Sequence, residues 1–135
     1  MMKAKWEDNG LKSPLARAKG LGSAKEGAEH WFMQRVTAIS NLLLMIWLVW
    51  SVVQNVVGAS HAEFTAWLAM PLNAILMILA VISVFYHAVL GCQEVVEDYI
   101  HCEWFKMLKL IGMKLFFFGM AVACIFSILK IAFGA

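Results

Sequence analysis

Three apolar runs dominate the pattern of this chain, and the charged side chains lie between them or at their edges. The runs extend from Val36 to Val57, from Phe64 to Gln93 and from Leu110 to Phe133. The second has about 30 residues without Asp, Glu, Lys or Arg, more than the roughly 20 that an α-helix needs to cross a bilayer. The third is interrupted by Lys114 and closed by Lys130, whose long stems can reach opposite membrane surfaces. The pattern predicts three transmembrane helices.

The helix boundaries follow from the polar positions that flank each run. We expect helices over residues of about 33–57, 67–100 and 107–133, with a turn at 58–63. Pro71 fits the first turns of the second helix, where its missing N–H costs little. Residues 1–29 mix Lys, Gly, Ala and Ser, a composition that cannot bury a core. The sequence predicts a flexible basic tail at residues 1–29 and a three-helix anchor domain at residues 30–135.

Composition excludes the soluble classes of protein. The chain is 62% hydrophobic and 15% charged, whereas soluble domains are nearer about 25% charged. The basic residues are dispersed among acids and glycines, which argues against binding to nucleic acid. Lipid gives helices no hydrophobic reason to associate, so the polar residues spread over the runs, such as Asn41 and Asn73, suggest packing against partners. The fold class predicted is an all-α membrane protein within a hetero-oligomeric helix bundle.

Lysine and arginine positions predict the orientation, because cytoplasmic loops carry an excess of them. Many precede the first span and none lies in the loop after it, whereas the loop before the third span contains Lys106 and Lys109. Those before the first span are Lys3, Lys5, Lys12, Arg17, Lys19, Lys25 and Arg35. We therefore expect a cytoplasmic N-terminus and a C-terminus on the opposite side of the membrane.

His87 lies inside the second run, near its cytoplasmic end. An ionisable ring within a membrane span is costly, so a functional role is its default interpretation. At 100° per residue, Gly91, Glu94, Asp98 and His101 fall within about 40° of the His87 direction. A polar stripe therefore runs along the helix from the imidazole towards the cytoplasmic surface. His87 is a candidate haem axial ligand, proton-relay member or helix–helix hydrogen-bonding group, and the residue alone leaves these alternatives open.

A haem at His87 would need further groups. A membrane cytochrome b usually has two axial ligands, and His87 is the one histidine within an apolar run, so another chain or a second copy would supply the other. Gly91 has no side chain and would let a flat macrocycle or a partner helix approach closely. We expect Ser83 to be a second position at which the haem comes close to the helix. Arg35 suits a haem propionate at the mouth of the first span, although an interfacial arginine facing lipid phosphate is an equal alternative.

Asp98 and Tyr99 end the second predicted helix on the cytoplasmic side. A tyrosine hydroxyl beside a carboxylate could hydrogen-bond a quinone carbonyl and help to pass protons. The alternative is an aromatic residue of the membrane interface. Four tryptophans are expected to anchor the interface in this way: Trp47, Trp50, Trp67 and Trp104.

Two segments resemble the hydrophobic membrane anchor (D) subunit of succinate dehydrogenase. The segment His30 to Ile39 reads HWFMQRVTAI and is similar to the opening of that subunit's first helix. The segment Tyr86 to Gly91 followed by Glu97 to Tyr99 matches its H-x-x-x-G and D-Y pattern, with the same interval from histidine to tyrosine. The glycine-rich segment at residues 20–24 is similar to α-proteobacterial members. The resemblance covers about residues 15–99, and the third span adds only hydropathy.

The resemblance implies a complex of four chains in the bacterial inner membrane: a flavoprotein that oxidises succinate, an iron–sulfur protein and two membrane anchors that share one haem b. It implies that His87 is one axial ligand, with the second from the cytochrome b-type C anchor subunit, and that Arg35 contacts the propionates. Tyr99 would donate to a ubiquinone carbonyl, with Asp98 in the proton path. The C-terminus would be periplasmic. This chain shows no flavin-binding pattern or cluster cysteines, so it is not expected to be an enzyme alone.

Two alternative functions are compatible with the same residues. The first is the anchor of a quinol:fumarate reductase, because the direction of electron flow depends on cofactor potentials that a sequence does not encode. The second is a haem-free membrane accessory protein in which His87 only packs. A reduced-minus-oxidised spectrum separates the haem-free alternative from the others.

Overall fold

In the computed structural model, residues 26–134 and Leu15 are described, and residues 26–134 form four α-helices without a strand. The helices are α1 (Glu26–Asn55), α2 (His61–Ala69), α3 (Pro71–Tyr99) and α4 (Glu103–Ala132). Of these, α1, α3 and α4 are long and apolar enough to cross a membrane. The predicted all-α fold with three spans is therefore confirmed.

The first helix begins earlier than the hydrophobic pattern indicated. The predicted tail at residues 1–29 lies outside the described residues apart from Leu15 and residues 26–29, which already belong to α1. Glu29 is not apolar, but an acidic residue near the start of a helix is favoured by the helix dipole. The predicted start at residue 33 therefore lies seven positions inside the helix, which begins at Glu26.

The segment before α3 differs from the predicted turn at 58–63 and single helix from residue 67. A separate short helix, α2, occupies His61–Ala69, and the chain breaks at Met70. Pro71 causes the break, because its ring disfavours the helical conformation in the preceding residue, and Met70 is extended at φ −62° and ψ 127°. The Asn73 side-chain amide donates to the Trp67 carbonyl at 2.8 Å, which satisfies a carbonyl near the break.

A capping box fixes the start of α2. The Ser60 backbone N–H donates to the Glu63 carboxylate at 2.7 Å, and the Glu63 backbone N–H donates to the Ser60 hydroxyl at 3.3 Å. Hydrogen bonds from the Ser60 backbone N–H and then the Ser60 side chain hold the pKa of Glu63 below its usual value. This contribution to the cap is present when Glu63 is ionised and is lost as the pH falls through the lowered pKa.

The central helix is α3, which packs against α1, α2 and α4. The main cluster of buried apolar residues lies at the end of the bundle where α2 meets α3 and α4: Trp67, Leu68, Ala74 and Ile128. Trp67 is only 7% exposed and stacks on Trp47 with ring centroids 6.4 Å apart. The prediction that Trp67 anchors the membrane interface is therefore wrong, because the short helix α2 packs its ring into the core. Trp50 and Trp104 are exposed, as an interface position requires.

Most of the apolar surface of the spans is left uncovered by the chain itself. In the most apolar windows of α1, α3 and α4, the buried share is 11%, 17% and 6%. A soluble protein rarely exposes contiguous apolar surface of this extent. Three helices arranged in this way leave most of their side chains to contact lipid or the helices of partner subunits.

Candidate functional site

Helices α1 and α3 run antiparallel and meet along a row of polar positions, which we call the α1–α3 seam. Three contacts cross it: His30 with Glu94, Gln34 with Gly91, and Thr37 with His87. Their spacing by three and four residues along each helix keeps them on one face. The stripe expected to run from His87 through Gly91 to Glu94 therefore faces α1.

The central contact of the seam is a hydrogen bond between His87 and Thr37. Nδ1 of His87 lies 2.9 Å from the Thr37 hydroxyl oxygen. The same hydroxyl lies 2.8 Å from the Met33 carbonyl oxygen and 3.1 Å from the Gln34 carbonyl oxygen. Because a carbonyl oxygen can only accept, the single hydroxyl proton is directed at these carbonyls. This arrangement favours a bond in which the Thr37 oxygen accepts from Nδ1–H of His87.

This bond fixes the tautomer and the orientation of the imidazole. With Nδ1 protonated, Nε2 of the neutral ring carries the lone pair. No hydrogen bond from residues 26–134 reaches that nitrogen. Thr37 is 6% exposed, so water competes little for its oxygen. An imidazole held through Nδ1–H in this way can bind a metal through Nε2.

A second contact, at the end of the seam where α1 begins, joins His30 and Glu94. Nδ1 of His30 lies 2.8 Å from a Glu94 carboxylate oxygen, and Nε2 of His30 is buried without a partner among the described residues. The pair ties the first turns of α1 to the last turns of α3. Glu94 belongs to the predicted polar stripe, and its partner His30 lies on the other helix.

The seam continues past His87 in the other direction. Asn41 follows Thr37 by four residues and Ser83 precedes His87 by four, so the antiparallel register brings these two positions to the same level. Ser83 is buried, and both Asn41 Oδ1 and Ser83 Oγ are buried without a partner within residues 26–134. Ser83 thus lies on the same face as His87, one turn away. Its assignment to a haem approach stays a prediction.

Gly91 faces α1 rather than an open groove. A Cβ atom added at Gly91 would lie 3.7 Å from the side-chain nitrogen of Gln34, which is ordinary van der Waals contact. The missing side chain therefore gives room to the Gln34 amide. Close approach of a macrocycle at Gly91 stays a prediction, and among the described residues Gln34 is the group that takes the space.

A groove of about 700 Å³ opens beside the seam, at the end where α1 begins and α3 ends. Its polar lining includes acids and amides as well as one arginine and one tyrosine: Glu29, His30, Gln34, Arg35, Tyr86, Gln93, Glu94 and Glu97. The Arg35 guanidinium carbon lies 3.6 Å from the centre of the Trp31 ring, and its Nη1 donates to the Trp31 carbonyl at 3.2 Å. Arg35 is thus exposed at the groove and oriented by its own helix.

Asp98 and Tyr99 lie apart from this groove, in the last turn of α3. Both are exposed, and Tyr99 is 79% exposed. Neither side chain hydrogen-bonds to another described residue. The structure thus brings His87, Ser83 and Gly91 together on the seam, places Arg35 at the neighbouring groove, and leaves Asp98 and Tyr99 at a separate surface that other chains can cover.

Three residues of the seam were missed by the sequence analysis: His30, Gln34 and Thr37. The available signal was their spacing together with Asn41, which repeats by four, three and four positions along the helix. Such a row of polar side chains marks the face of a span that meets another helix.

Comparisons with known proteins agree with the geometry. Residues 9–129 match the family described as succinate dehydrogenase/fumarate reductase transmembrane subunit. No solved structure matches the chain.

Curated relatives cover most of the chain and carry a single description, succinate dehydrogenase hydrophobic membrane anchor subunit. The protein of Rickettsia bellii is 39% identical over 119 residues, which are 87% of this chain and 94% of that protein. The protein of Rickettsia conorii is 34% identical over 106 residues, 78% of this chain and 84% of that protein. The protein of Paracoccus denitrificans is 28% identical over 123 residues, 91% of this chain and 94% of that protein. The resemblance found in the sequence is confirmed, and the chain belongs to the succinate dehydrogenase/fumarate reductase transmembrane subunit family.

Proposed function

We propose that this chain, as a membrane anchor subunit of succinate dehydrogenase, supplies His87 to a haem b and the end of α3 to a ubiquinone site. Succinate would be oxidised by a flavoprotein and the electrons passed through an iron–sulfur subunit, both of them separate chains. The observation that supports the proposal is the 2.9 Å contact between His87 Nδ1 and the Thr37 hydroxyl oxygen, which leaves the lone pair on Nε2 when Nδ1 is the donor. That is the form of an imidazole that ligates iron.

The residues around His87 fit the needs of such a ligand. Thr37 holds the ring, and Arg35 lies exposed at the groove where it can pair with a carboxylate such as a propionate. Haem b bound at His87 would supply a one-electron carrier inside the membrane. The other described histidines are poorly placed to be the second ligand, because His30 binds Glu94, and His61 and His101 lie outside the spans. We assign that ligand to the second anchor subunit.

The quinone site is assigned to Tyr99 and Asp98. A Tyr99 hydroxyl that donates to a quinone carbonyl would stabilise the negative charge that develops there, and Asp98 can accept and release a proton next to it. Since Tyr99 is 79% exposed, the remaining walls of this site must come from partner subunits. Exposure of both residues at one end of α3 suits a pocket assembled between chains.

Purification of the whole complex through a tag on this chain tests the proposal. We expect three partner chains, a b-type spectrum on reduction, and succinate-dependent reduction of ubiquinone. A complex that reduces ubiquinone but shows no b-type spectrum would contradict the haem assignment. A tagged chain that isolates without a flavoprotein would contradict the anchor function.

We propose that the N-terminus is cytoplasmic and the C-terminus periplasmic, since Lys and Arg are concentrated before α1 and at the start of α4. A reporter fused after Ala135 should be active only when it folds outside the cytoplasm, and one fused before Met1 only when it folds inside. Three spans require the two ends to lie on opposite sides. We expect both fusions to be active, and finding both ends on the same side would mean that one of the helices does not cross.

Substitution of Thr37 by valine should loosen the haem without unfolding the helix. Valine keeps the branched shape but removes the oxygen that accepts from His87, so the ring loses its orienting partner. Loss of such a partner typically weakens metal binding by about 10–100-fold. We expect faster haem loss in detergent and a shifted haem potential by redox titration. Thr37→Ser, which keeps the hydroxyl, is the matched control, and identical haem retention and potential in Thr37→Val would refute the role of Thr37.

A further inference from the structure

Lys114 is a charged side chain in the interior of an apolar span. It lies in α4 between Leu110 and Ile128, and it is exposed. A charge within a membrane helix is costly and calls for a compensating partner. Among residues 26–134 the ion pairs are His30 with Glu94 and Lys106 with Glu103, so no described acid compensates Lys114.

The depth of Lys114 follows from the packing of α4 on α3. The Phe85 and Phe117 rings meet edge to face with centroids 6.1 Å apart. Because the two helices are antiparallel, Lys114, three residues before Phe117, lies level with Ala88, three residues after Phe85. It lies five residues beyond Lys109, a rise of about 7.5 Å along the helix. A lysine stem can span much of that distance and bring its ammonium group towards the membrane surface at which α4 begins.

A groove of about 540 Å³ between α3 and α4 starts at Lys114. Apart from Lys114 and Tyr86, its lining is entirely apolar: Ile82, Phe85, Val89, Leu115, Phe117, Phe118, Ala121, Val122 and Ile125. The antiparallel register places Lys114 and Val89 at one end, and Ile82 and Ile125 further towards the middle of the bilayer. The groove therefore has a cationic mouth near one membrane surface and an apolar floor that runs inward.

We propose that this groove binds an anionic phospholipid, with its phosphate at Lys114 and one acyl chain along the floor. Charge complementarity selects the headgroup, because basic positions between transmembrane helices on the cytoplasmic side attract anionic lipids. The direction of the groove suits an acyl chain. A lipid in the leaflet nearest to the start of α4 extends its acyl chains from the membrane surface towards the bilayer centre, as the groove does. A packed helix of a partner would instead need an acid opposite Lys114. This site is separate from the α1–α3 seam and does not depend on the haem assignment.

The test uses the intact complex, purified in detergent, stripped of lipid and then exchanged into vesicles of phosphatidylglycerol and phosphatidylcholine. Lipid retained after a second purification is measured by mass spectrometry. We expect wild type to retain phosphatidylglycerol over phosphatidylcholine, and Lys114→Leu to lower that preference about fivefold, the value of one lysine near an anionic surface. Lys114→Arg should keep it. Lys130→Leu is the matched control, because Lys130 lies in the last turn of the same helix and outside the groove.

A second variant and a photoreactive label distinguish a bound lipid from other possible occupants of the groove. Ala121→Phe should lower retention of phosphatidylglycerol by filling the floor while the charge at Lys114 remains. A photoreactive phosphatidylglycerol should label the wild-type groove at Val122 even if a variant fails to assemble. Equal lipid preference in wild type and Lys114→Leu would overturn the proposal. So would cross-linking of a photoreactive group at Val122 to another protein chain, or loss of bound ubiquinone with unchanged lipid in Ala121→Phe.

Discussion

Replacement of His87 by alanine should remove the b-type haem or change its spectrum, because only one protein ligand would then remain on the iron. The complex is expected to assemble with reduced stability, since α3 also packs against α2 and α4. The variant also leaves the Thr37 oxygen without its donor in the buried seam, a cost of roughly 1–3 kcal/mol for a buried polar group. Reduced-minus-oxidised spectroscopy of the purified complex measures the haem directly.

The matched control is His61→Ala. His61 is exposed at the start of α2 and outside all three spans, so its removal should leave the spectrum unchanged. Thermal unfolding of both variants, monitored through the release of the soluble subunits, distinguishes loss of haem from loss of assembly. A bis-histidine spectrum that survives in His87→Ala would eliminate His87 as a ligand and favour its alternative role as a helix–helix hydrogen-bonding group.

The spans were predictable because a single physical constraint determines them. A run without charge that is longer than a bilayer is thick has few alternatives to a transmembrane helix. The break at Met70 was harder to place, although both of its signals were in the sequence. Ser60 followed three residues later by Glu63 is a helix start, and Pro71 is a helix stop for the residue before it. The apolar run from Phe64 onwards hid these local signals, because hydropathy alone treats α2 and α3 as continuous.

The site was predictable on one helix and not between helices. The periodicity of α3 places His87, Gly91 and Glu94 on one face, and the structure agrees. The helix that covers this face is α1, and the spacing of residues within α3 does not indicate which helix packs there. For this reason the Gln34 amide, which lies next to Gly91, was not expected there. The partner of His87 was missed for the same reason, since a threonine in an apolar helix usually bonds only to its own backbone.

At the end of α3, by contrast, the described residues leave the proposed quinone site open. Asp98 and Tyr99 are exposed and make no hydrogen bonds to other described residues. Nothing within α1 or α4 closes around them, and under the proposed function partner chains would complete the pocket. The consequence is testable, because a residue that serves a shared pocket should affect quinone reduction more than the stability of its own helix bundle.

Tyr99→Phe should slow the reduction of ubiquinone far more than electron transfer from succinate to a soluble artificial acceptor. The change deletes one hydroxyl and leaves the ring, so packing and contact with the membrane interface persist. A hydrogen bond contributes about 0.5–1.5 kcal/mol net, and it counts towards the rate if it strengthens as charge develops on the quinone oxygen. A loss of roughly tenfold corresponds to about 1.4 kcal/mol, and a larger loss would indicate a part in proton delivery. Steady-state assays with both acceptors on the same preparation measure the difference.

Asp98→Asn tests the proposed role of Asp98 in proton transfer with the same assays. The substitution removes a proton acceptor while it keeps the volume of the side chain, so its defect should vary with pH, whereas the defect of Tyr99→Phe should vary less. Trp104→Phe is the control for an aromatic residue at the same end of the bundle, because Trp104 is exposed in the first turn of α4 and has no assigned role in quinone binding. Equal loss of both activities in Tyr99→Phe would indicate failed assembly. Full ubiquinone reductase activity in that variant would place the quinone site elsewhere in the complex.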